Sequence, residues 1–431
     1  MSGYKQLWRS INVWRFTSII LVALLITVFG YEFRILERIS HQVQLGGKDS
    51  ELFMSGEFSQ EGFEMVAAQT KKDLFAFKPI LKSRSNISRT ETLVRQYISS
   101  RHVRFHFSHA LLLIGLLESH SNKDADVAFQ SIKDWCDKII DTEGQLRIPI
   151  RYIDDCMIGY AFCELYDRTH SDRYRRAADQ LANYLLQQYP RSPTGTLPYY
   201  REHPEITGID DKGEICAFLV RYGEQFGVPK ATDLGVRQLL EFLRFGIDTE
   251  SGLPWQACRP SDSLKMVLLG WLRGIGWLSI GLADTLKYLP KDHLHYKEIN
   301  EEFLALLSAV RIYQENQKCW NWEIRNTIAH EDTSGTAMIG YAIESAIASG
   351  IVDKYWSAMS ENALIAVLRH THRNGVVDDS LADCMGVGLF ANYFGPSNFA
   401  QGPATALYSL ILRRIQSERS SVSAENGKSD E

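Results

Sequence analysis

The residues best suited to chemistry are two pairs of adjacent aspartates at the same place in a repeated phrase. Asp154 and Asp155 stand in IDDCMIGYAFCELY, and Asp210 and Asp211 stand in IDDKGEICAFLVRY, which starts 56 residues later. Two neighbouring carboxylates resist ionising together, so one of a pair can keep its proton near neutral pH. The first pair is therefore predicted to supply a general acid or base, with helix capping as the competing interpretation.

The second pair, Asp210 and Asp211, is expected at the same rim of the fold, one helical hairpin further on. It could supply the second carboxylate of an acid–base pair, as inverting glycosidases require. Capping inherited with the repeat is the favoured interpretation, and we group both residues with the candidates for substrate binding.

Further candidates for substrate binding stand in two aromatic segments. Arg273 and Trp277 belong to WLRGIGW, in which an arginine could bind a carboxylate through two parallel hydrogen bonds. An interhelical salt bridge is the alternative role for Arg273. Trp255 and Gln256 belong to GLPWQACRP, where a loop tryptophan could stack on a sugar ring.

The elements that must position these residues are helices. Apolar residues recur at i, i+3, i+4 and i+7 in runs such as GVRQLLEFLRFGI, and long alternating runs are absent. Loops led by glycine or tryptophan separate these runs every 50 to 70 residues, which leaves room for two helices per interval. Six such hairpins over 89–415 predict an all-α fold, an (α/α)6 toroid, with its loops forming a cleft at one end.

The N-terminus is expected to be a membrane anchor. Residues 16–31 carry no charge, and Lys5, Arg9 and Arg15 precede them. This pattern predicts a cytoplasmic segment 1–15, an uncleaved transmembrane helix 16–33 and a domain on the far side of the inner membrane. We expect a stalk at 34–88 and a disordered tail at 416–431, where the sequence is polar.

The composition excludes several classes of function. The net charge is −5 and no block is dense in Lys or Arg, which argues against nucleic acid as a partner. The seven cysteines include no CxxC and no Cys/His group with zinc spacing, so we expect no metal site and no disulfide framework. One cysteine pair could still be oxidised outside the cytoplasm. No phosphate-binding loop occurs, and no cofactor is expected.

Three segments, in order along the chain, resemble the unsaturated glucuronyl and unsaturated rhamnogalacturonyl hydrolases. They are YIDDCMIGYAFCELYDRTHSDRY, then TESGLPWQACRP with GWLRGIGWLSIGLADTLKYLP, and then EDTSGTAMIGYAI. The resemblance covers about residues 90 to 412. It implies an (α/α)6 toroid that acts on a saccharide bearing an unsaturated uronic acid.

The resemblance also implies roles for individual residues. One aspartate of those families protonates the C4=C5 double bond and then activates the water that attacks C5. That role falls on Asp154 or Asp155, with Asp155 the first choice because Cys156-Met157 follows it. Arg273 and Trp277 become substrate contacts. Ile275 and Gln256 depart from the usual Asn or Gln and the usual His of those families.

These departures keep other hypotheses open. The first is a membrane-anchored hydrolase of uronic-acid-containing polysaccharide or oligosaccharide, with a possible role in making exported or capsular polysaccharide. The second is a polysaccharide lyase or uronyl epimerase on the same fold. The third is a glycan-binding protein without catalytic activity, motivated by Ile275 and Gln256.

Overall fold

The computed structural model describes residues 58–76, 106–119, 125–315, 318–384 and 386–426, together with Ser18, Leu21 and Val22. The described chain between 58 and 426 forms twelve α-helices: α1 Gln60–Ala76, α2 His106–Glu118, α3 Ala125–Ile139, α4 Gly159–Thr169, α5 Asp172–Asn183, α6 Asp210–Phe226, α7 Pro229–Gly246, α8 Leu272–Tyr288, α9 Tyr296–Arg311, α10 Thr333–Ala348, α11 Ser357–Arg369 and α12 Asn398–Asn426. A 3₁₀ helix, Asp154–Ile158, leads into α4, and a π-helical turn, Tyr184–Gln188, follows α5. A second 3₁₀ helix, Lys354–Trp356, leads into α11.

The even-numbered helices form a closed inner ring. Helix α2 packs against the 3₁₀ turn and α4, and contacts then run through α6, α8, α10 and α12 back to α2. The odd-numbered helices lie outside, with α7 on α6, α11 on α10 and α1 on both α12 and α2. The predicted toroid of six hairpins is confirmed.

Burial distinguishes the two rings. Every residue of α8 from Leu272 to Leu286 is buried, because neighbours surround an inner helix on all sides. Small residues allow the inner helices to approach closely: a Cβ at Gly281 would collide with the carbonyl oxygen of Lys212, and one at Gly402 with that of Leu111. The glycines of the inner helices are therefore packing residues.

Helix α1 lies in the interval predicted as a stalk and closes the outer ring. Its Phe63, Val66 and Leu74 are at most 5% exposed. Its Thr70 hydroxyl lies 2.6 Å from that of Thr405 on α12. The polar residues of this segment suggested a solvated connector, yet Phe63, Val66 and Leu74 face the ring.

The C-terminal helix also exceeds its predicted length. Helix α12 continues to Asn426, inside the segment 416–431 that was expected to be disordered. Arg414 forms ion pairs with Glu344 and Glu361, and Lys354 forms one with Glu418. These contacts hold α12 as far as Glu418 against α10, α11 and the 3₁₀ helix before α11.

Two small sheets join the loops at one end of the ring. The first contains β1 Thr207–Gly208, β2 Trp255–Arg259 and β3 Leu264–Leu269 in antiparallel order, with Gly208 opposite Ala257 and Ala257 opposite Met266. The second pairs β4 Ser380–Leu381 with β5 Phe394–Gly395, Ser380 opposite Gly395. Little sheet was expected, and these strands serve to fix loops.

The predicted transmembrane helix 16–33 falls almost entirely outside the described residues. Among the residues that the structure describes, no helix combines the length and apolar character needed to cross a membrane.

Candidate active site

A small polar cavity lies where the predicted loops converge. Its volume is about 30 Å³. It is lined by Tyr199, Asp210, Glu214, Gln256, Trp271, Arg273, Trp277, Asp383, Cys384, Gly386, Val387 and Phe399. Four of the predicted site residues, Asp210, Gln256, Arg273 and Trp277, therefore meet at one place.

Two of these residues are held together by the first sheet. Asp210 is the first residue of α6, and the preceding Ile209 donates its N–H to the carbonyl oxygen of Gln256 at 3.0 Å. The chain thus enters α6 directly from the sheet edge. This fixes the Asp210 carboxyl beside the Gln256 loop.

Asp211, the second member of its pair, belongs to the framework. It is fully buried and accepts hydrogen bonds from the Lys212 ammonium and the Gln238 amide. Lys212 is equally buried and also donates to the Thr207 hydroxyl at 3.1 Å. Asp211 does not line the cavity.

The first aspartate pair divides in the same way. One carboxylate oxygen of Asp155 accepts the N–H groups of Arg151 at 2.7 Å and Tyr152 at 3.1 Å, and so closes the turn before the 3₁₀ helix. Asp154 does not line the cavity, but its charge raises the pKa of two residues that do, Glu214 and Tyr199. These contacts favour Asp154 as the chemical member, while the choice between the two residues stays a prediction.

Two carboxyl groups in the cavity hold protons at unusually high pH. Burial raises the pKa of Asp210 to about 7; the nearby Arg273 opposes this shift, while Asp211 and Asp383 reinforce it. Burial raises the pKa of Glu214 well above its usual range, and the charges of Asp154 and Asp210 add to the effect. Carboxyls of this kind can carry a proton at neutral pH.

Glu214 was missed by sequence reasoning. It lies four residues after Asp210, so both carboxyls project from the same face of α6. It is 2% exposed, and its Oε2 has no hydrogen-bond partner among the described residues. That spacing was the available signal, hidden behind the more conspicuous aspartate pair.

Arg273 is buried in the cavity wall rather than in an interhelical salt bridge. Its guanidinium donates to the carbonyl oxygens of Leu381 and Ala382 and to the Cys384 sulfur. It also lies 4.5 Å above the centre of the Phe399 ring. The chain from β4 onward is thus fastened directly to the arginine.

This part of the chain, residues 380–395, covers the cavity, and we term it the strap; residue 385 lies outside the described residues. The Val387 N–H donates to the Tyr200 hydroxyl at 2.9 Å, and the Gly388 N–H donates to Gln256 Oε1 at 3.0 Å. Phe390 packs on Trp271 with ring centres 5.5 Å apart. The strap therefore closes the cavity from above.

The predicted aromatic residues have different positions. Trp277 is 1% exposed and lines the cavity edge-on to Phe399. Trp255, at the start of β2, does not line the cavity. Trp271, which was not selected, does line it, and no described residue accepts a hydrogen bond from its indole N–H.

The cavity in this closed form has room for only one or two water molecules. Pockets that hold small molecules typically enclose about 300–1,000 Å³. A ligand larger than water would therefore require part of the cavity wall to move. What the closed site provides is a set of protonated and ionised carboxyls beside an arginine, suited to proton transfer on an anionic molecule.

The comparison with known families identifies the scaffold. Residues 83–400 match the family described as Glycosyl Hydrolase Family 88. The chain belongs to this family. Its resemblance to the unsaturated uronyl hydrolases is thereby confirmed, and the family supports hydrolase activity on carbohydrate.

Individual relatives agree with this assignment. The chain is 22% identical over 268 residues to the unsaturated rhamnogalacturonyl hydrolase YesR of Bacillus subtilis, covering 61% of this chain and 75% of that protein. Among solved structures it is similar to a possible GH105 family member from Klebsiella pneumoniae, with a TM-score of 0.70 at 15% identity over 83% of this chain and 94% of that one.

A second structural neighbour is an unsaturated glucuronyl hydrolase specific for heparin. The TM-score is 0.60 at 12% identity, over 82% of this chain and 97% of the other. At such identities the structural likeness establishes the shared fold.

Proposed function

We propose that this chain hydrolyses saccharides that end in a 4,5-unsaturated uronic acid. A cavity carboxyl protonates C4 of the double bond, and a carboxylate takes a proton from the water that adds at C5. The resulting hemiketal opens and releases the sugar to which it was linked. The site begins and ends the cycle with the same number of protons.

The observation that carries this proposal is the pairing of Asp210 with Arg273 in one buried cavity. A carboxyl with a pKa of about 7 is close to evenly divided between acid and base at neutral pH, which is the condition for efficient proton transfer. The guanidinium retains donors beyond those given to Leu381, Ala382 and Cys384, and these suit the carboxylate of a uronic acid.

We assign the proton transfer to Asp154 and Asp210 together. Asp210 lines the cavity, and the charge of Asp154 is the strongest of those that raise the pKa of Glu214 there. Asp155 and Asp211 remain bound to the backbone of 151–152 and to Lys212. Trp277 and Trp271 form the wall on which the sugar packs once the strap opens.

A lyase on the same fold is less well supported. A lyase of this kind would use a tyrosine as the base, which requires a low tyrosine pKa. Burial raises the pKa of Tyr199 well above its usual range, and the charges of Glu214, Asp210 and Asp154 add to the shift. A tyrosine in this setting is a poor base and a good hydrogen-bond donor.

The proposal is tested by following the ultraviolet absorbance of the double bond with unsaturated glucuronyl and unsaturated rhamnogalacturonyl disaccharides. The wild-type chain is expected to remove the absorbance of at least one of them. Asp154→Asn and Asp210→Asn should each lower kcat by roughly 10²–10⁴-fold, the usual contribution of a general acid or base.

Asp155→Asn is the matched control, because an asparagine oxygen can still accept the N–H groups of residues 151 and 152. It should keep most of the activity. Full activity in Asp154→Asn together with loss in Asp155→Asn would transfer the role to Asp155. An increase in absorbance with intact polysaccharide would establish a lyase, and binding without any change would support the non-catalytic hypothesis.

We further propose that residues 16–33 anchor the enzyme in the inner membrane with the toroid outside the cytoplasm. The uncharged run behind Lys5, Arg9 and Arg15 supports this arrangement. A tether of this kind suits action on polysaccharide during its export. A reporter enzyme fused to the C-terminus should be active only in its exported form, and activity of a cytoplasmic reporter would disprove the topology.

A further inference from the structure

A second group of chemically active side chains lies outside the cavity. Cys319, Glu331 and His370 each offer one ligand atom, and these three atoms lie within 4.8 Å of one another. Cys319 stands just before Trp320 in the loop after α9, Glu331 ends the same loop, and His370 follows the last residue of α11. Only the fold brings them together, across separations of 12 and 39 residues.

A neighbouring carboxylate orients the imidazole of His370. Asp379 Oδ2 lies 2.7 Å from Nδ1, and Glu331 Oε2 lies 3.1 Å from Nε2. With its proton on Nδ1, the ring presents the lone pair of Nε2 toward Glu331 and Cys319. A carboxylate behind a histidine in this way is the usual outer-shell partner of a metal-bound imidazole.

We propose that Cys319, Glu331 and His370 form a zinc site, with Asp379 as its outer-shell carboxylate. Thiolate, imidazole and carboxylate together are the ligands of a borderline metal such as Zn²⁺, whereas Ca²⁺ and Mg²⁺ prefer oxygen alone. Nε2 and Oε2, at 3.1 Å apart, already subtend an angle of about 95° at a zinc bonded to both at about 2.1 Å.

Completion of the site requires only a small movement. Ligand atoms around a tetrahedral zinc lie about 3.3 to 3.7 Å apart, so the widest separation must shorten by about 1 Å. Glu331 is fixed by the N–H of Cys319, which donates to its Oε2 at 3.1 Å. A rotation about the Cys319 side chain therefore provides the simplest path.

The fourth coordination position faces an open pocket. A cavity of about 590 Å³ adjoins the cluster and is lined by Cys319, Glu331, His370 and the loop residues Thr327 to His330. A hydrated ion can enter through it, and water can serve as the fourth ligand. The His330 imidazole, 3.2 Å from Asp379 Oδ1, lies at its rim and holds the outer-shell carboxylate from the other side.

The proposed zinc site lies next to the start of the strap, so a bound metal would affect how the strap is held. Asp379 directly precedes β4, and the strap that binds Arg273 begins there. The Thr333 N–H, at the start of α10, donates to the Asp379 carbonyl at 3.1 Å. Zinc would join the loop after α9, the end of α11 and the root of the strap.

The test is metal binding by the full-length chain, without any assay of activity. The chain is treated with a chelator, dialysed and titrated with ZnCl₂ by calorimetry, and Co²⁺ is used as a spectroscopic probe. We expect one Zn²⁺ per chain, a rise in melting temperature on binding, and a thiolate-to-cobalt charge-transfer band that reports Cys319.

Matched variants separate this site from unspecific binding. Cys319→Ser should remove the charge-transfer band, and His370→Gln should weaken zinc binding more than any outer-shell change. Asp379→Asn should keep the band and weaken binding by roughly 10–100-fold. Cys384→Ser, which removes a different partly accessible thiol, should change neither.

Two outcomes would overturn the proposal. One is the absence of stoichiometric zinc binding by the wild-type chain, which would leave His370 as an imidazolium between two carboxylates. The other is binding that survives in both Cys319→Ser and His370→Gln, which would place the metal elsewhere. Circular dichroism of the metal-free variants checks that they are folded, and neither outcome depends on the proposed hydrolase activity.

Discussion

At the scale of single residues, the two members of each repeated aspartate pair differ in their surroundings. The second member of each pair is satisfied by the framework, whereas Asp210 lines the cavity and the charge of Asp154 raises the pKa of Glu214 beside it. The two members point in different directions because consecutive residues of a helical turn lie on different faces. Adjacent identical residues thus have different surroundings.

The raised pKa of Asp210 predicts a pH-dependent cost in stability. In the unfolded chain this group ionises near pH 4 and in the folded chain near pH 7, so the folded state binds the extra proton between these values. The free energy of unfolding should therefore fall as the pH rises from about 4 to about 7. Asp210→Asn removes this cost, and its melting temperature should exceed that of the wild type at pH 8 but not at pH 4.

The measurement is thermal unfolding of both proteins across this pH range. Asp292→Asn is a suitable control, because Asp292 is exposed in the loop between α8 and α9 and lies outside the cavity. A melting-temperature difference for Asp210→Asn that is equal at pH 4 and pH 8 would contradict a protonated Asp210. If Asp210→Asn raises the melting temperature and abolishes hydrolysis, Asp210 is required for activity and lowers the stability of the fold.

At the scale of elements, the strap determines access. It is held by Arg273, by Gln256 and by Tyr200, and Leu381 also donates its N–H to Asp332, the N-cap residue of α10. A few hydrogen bonds of about 0.5–1.5 kcal/mol each can be broken transiently. Opening of the strap would break these hydrogen bonds and leave the packing of the ring unchanged.

Removal of one anchor should make opening easier. Gln256→Leu keeps the shape of the side chain and leaves Gly388 without its acceptor. If the substrate binds only the open form, a greater open population should lower KM by roughly 2–10-fold and speed proteolytic cleavage within the strap. Steady-state kinetics and limited proteolysis provide the measurements.

Tyr200→Phe removes the neighbouring anchor to Val387 and should act in the same direction. An increase in KM for Gln256→Leu, with no increase for Tyr200→Phe, would instead indicate that Gln256 contacts the substrate directly. That result would restore the role first predicted for Gln256 from its place beside Trp255.

At the scale of the whole molecule, α1 completes the outer ring. The burial of its Phe63, Val66 and Leu74 stabilises the folded domain by about 1.5–3 kcal/mol for each side chain. This stabilisation would be lost if the helix were removed. Domains are stable by only about 5–15 kcal/mol in total, so the helix contributes a large share. Gln401 on α12 would also lose the Val66 carbonyl as an acceptor.

Truncation should therefore be tolerated before α1 and not after it. A chain beginning at Leu52 is expected to keep the melting temperature of the toroid, and one beginning at Arg89 should unfold at a markedly lower temperature or aggregate. Leu74→Ala provides a milder variant, with an expected loss of about 2–5 kcal/mol in urea unfolding. Equal stability of the two truncated chains would show that α1 is dispensable.

The sequence by itself determined the ring, the loops and four of the residues that line the cavity. Helical periodicity and the regular spacing of the loops require only local information, so six hairpins followed from the chain. Asp210, Gln256, Arg273 and Trp277 stood out through their motifs, and they do meet. The uncharged character of residues 16–31 is also a local property of the sequence. The membrane-spanning helix inferred from it stays a prediction.

The tertiary structure decided what depends on distant partners. The sequence could not show which aspartate of each pair is satisfied by the framework, because the partners of Asp155 are backbone groups of the preceding turn and the position of Asp211 depends on Lys212 and Gln238. The raised pKa of Glu214 results from its burial in the folded chain. The polar segment that forms α1 belongs to the fold because it covers the surface of α12 and α2. Cys319, Glu331 and His370 have no shared motif, since their separations of 12 and 39 residues are closed only when α9, α10 and α11 pack around one loop.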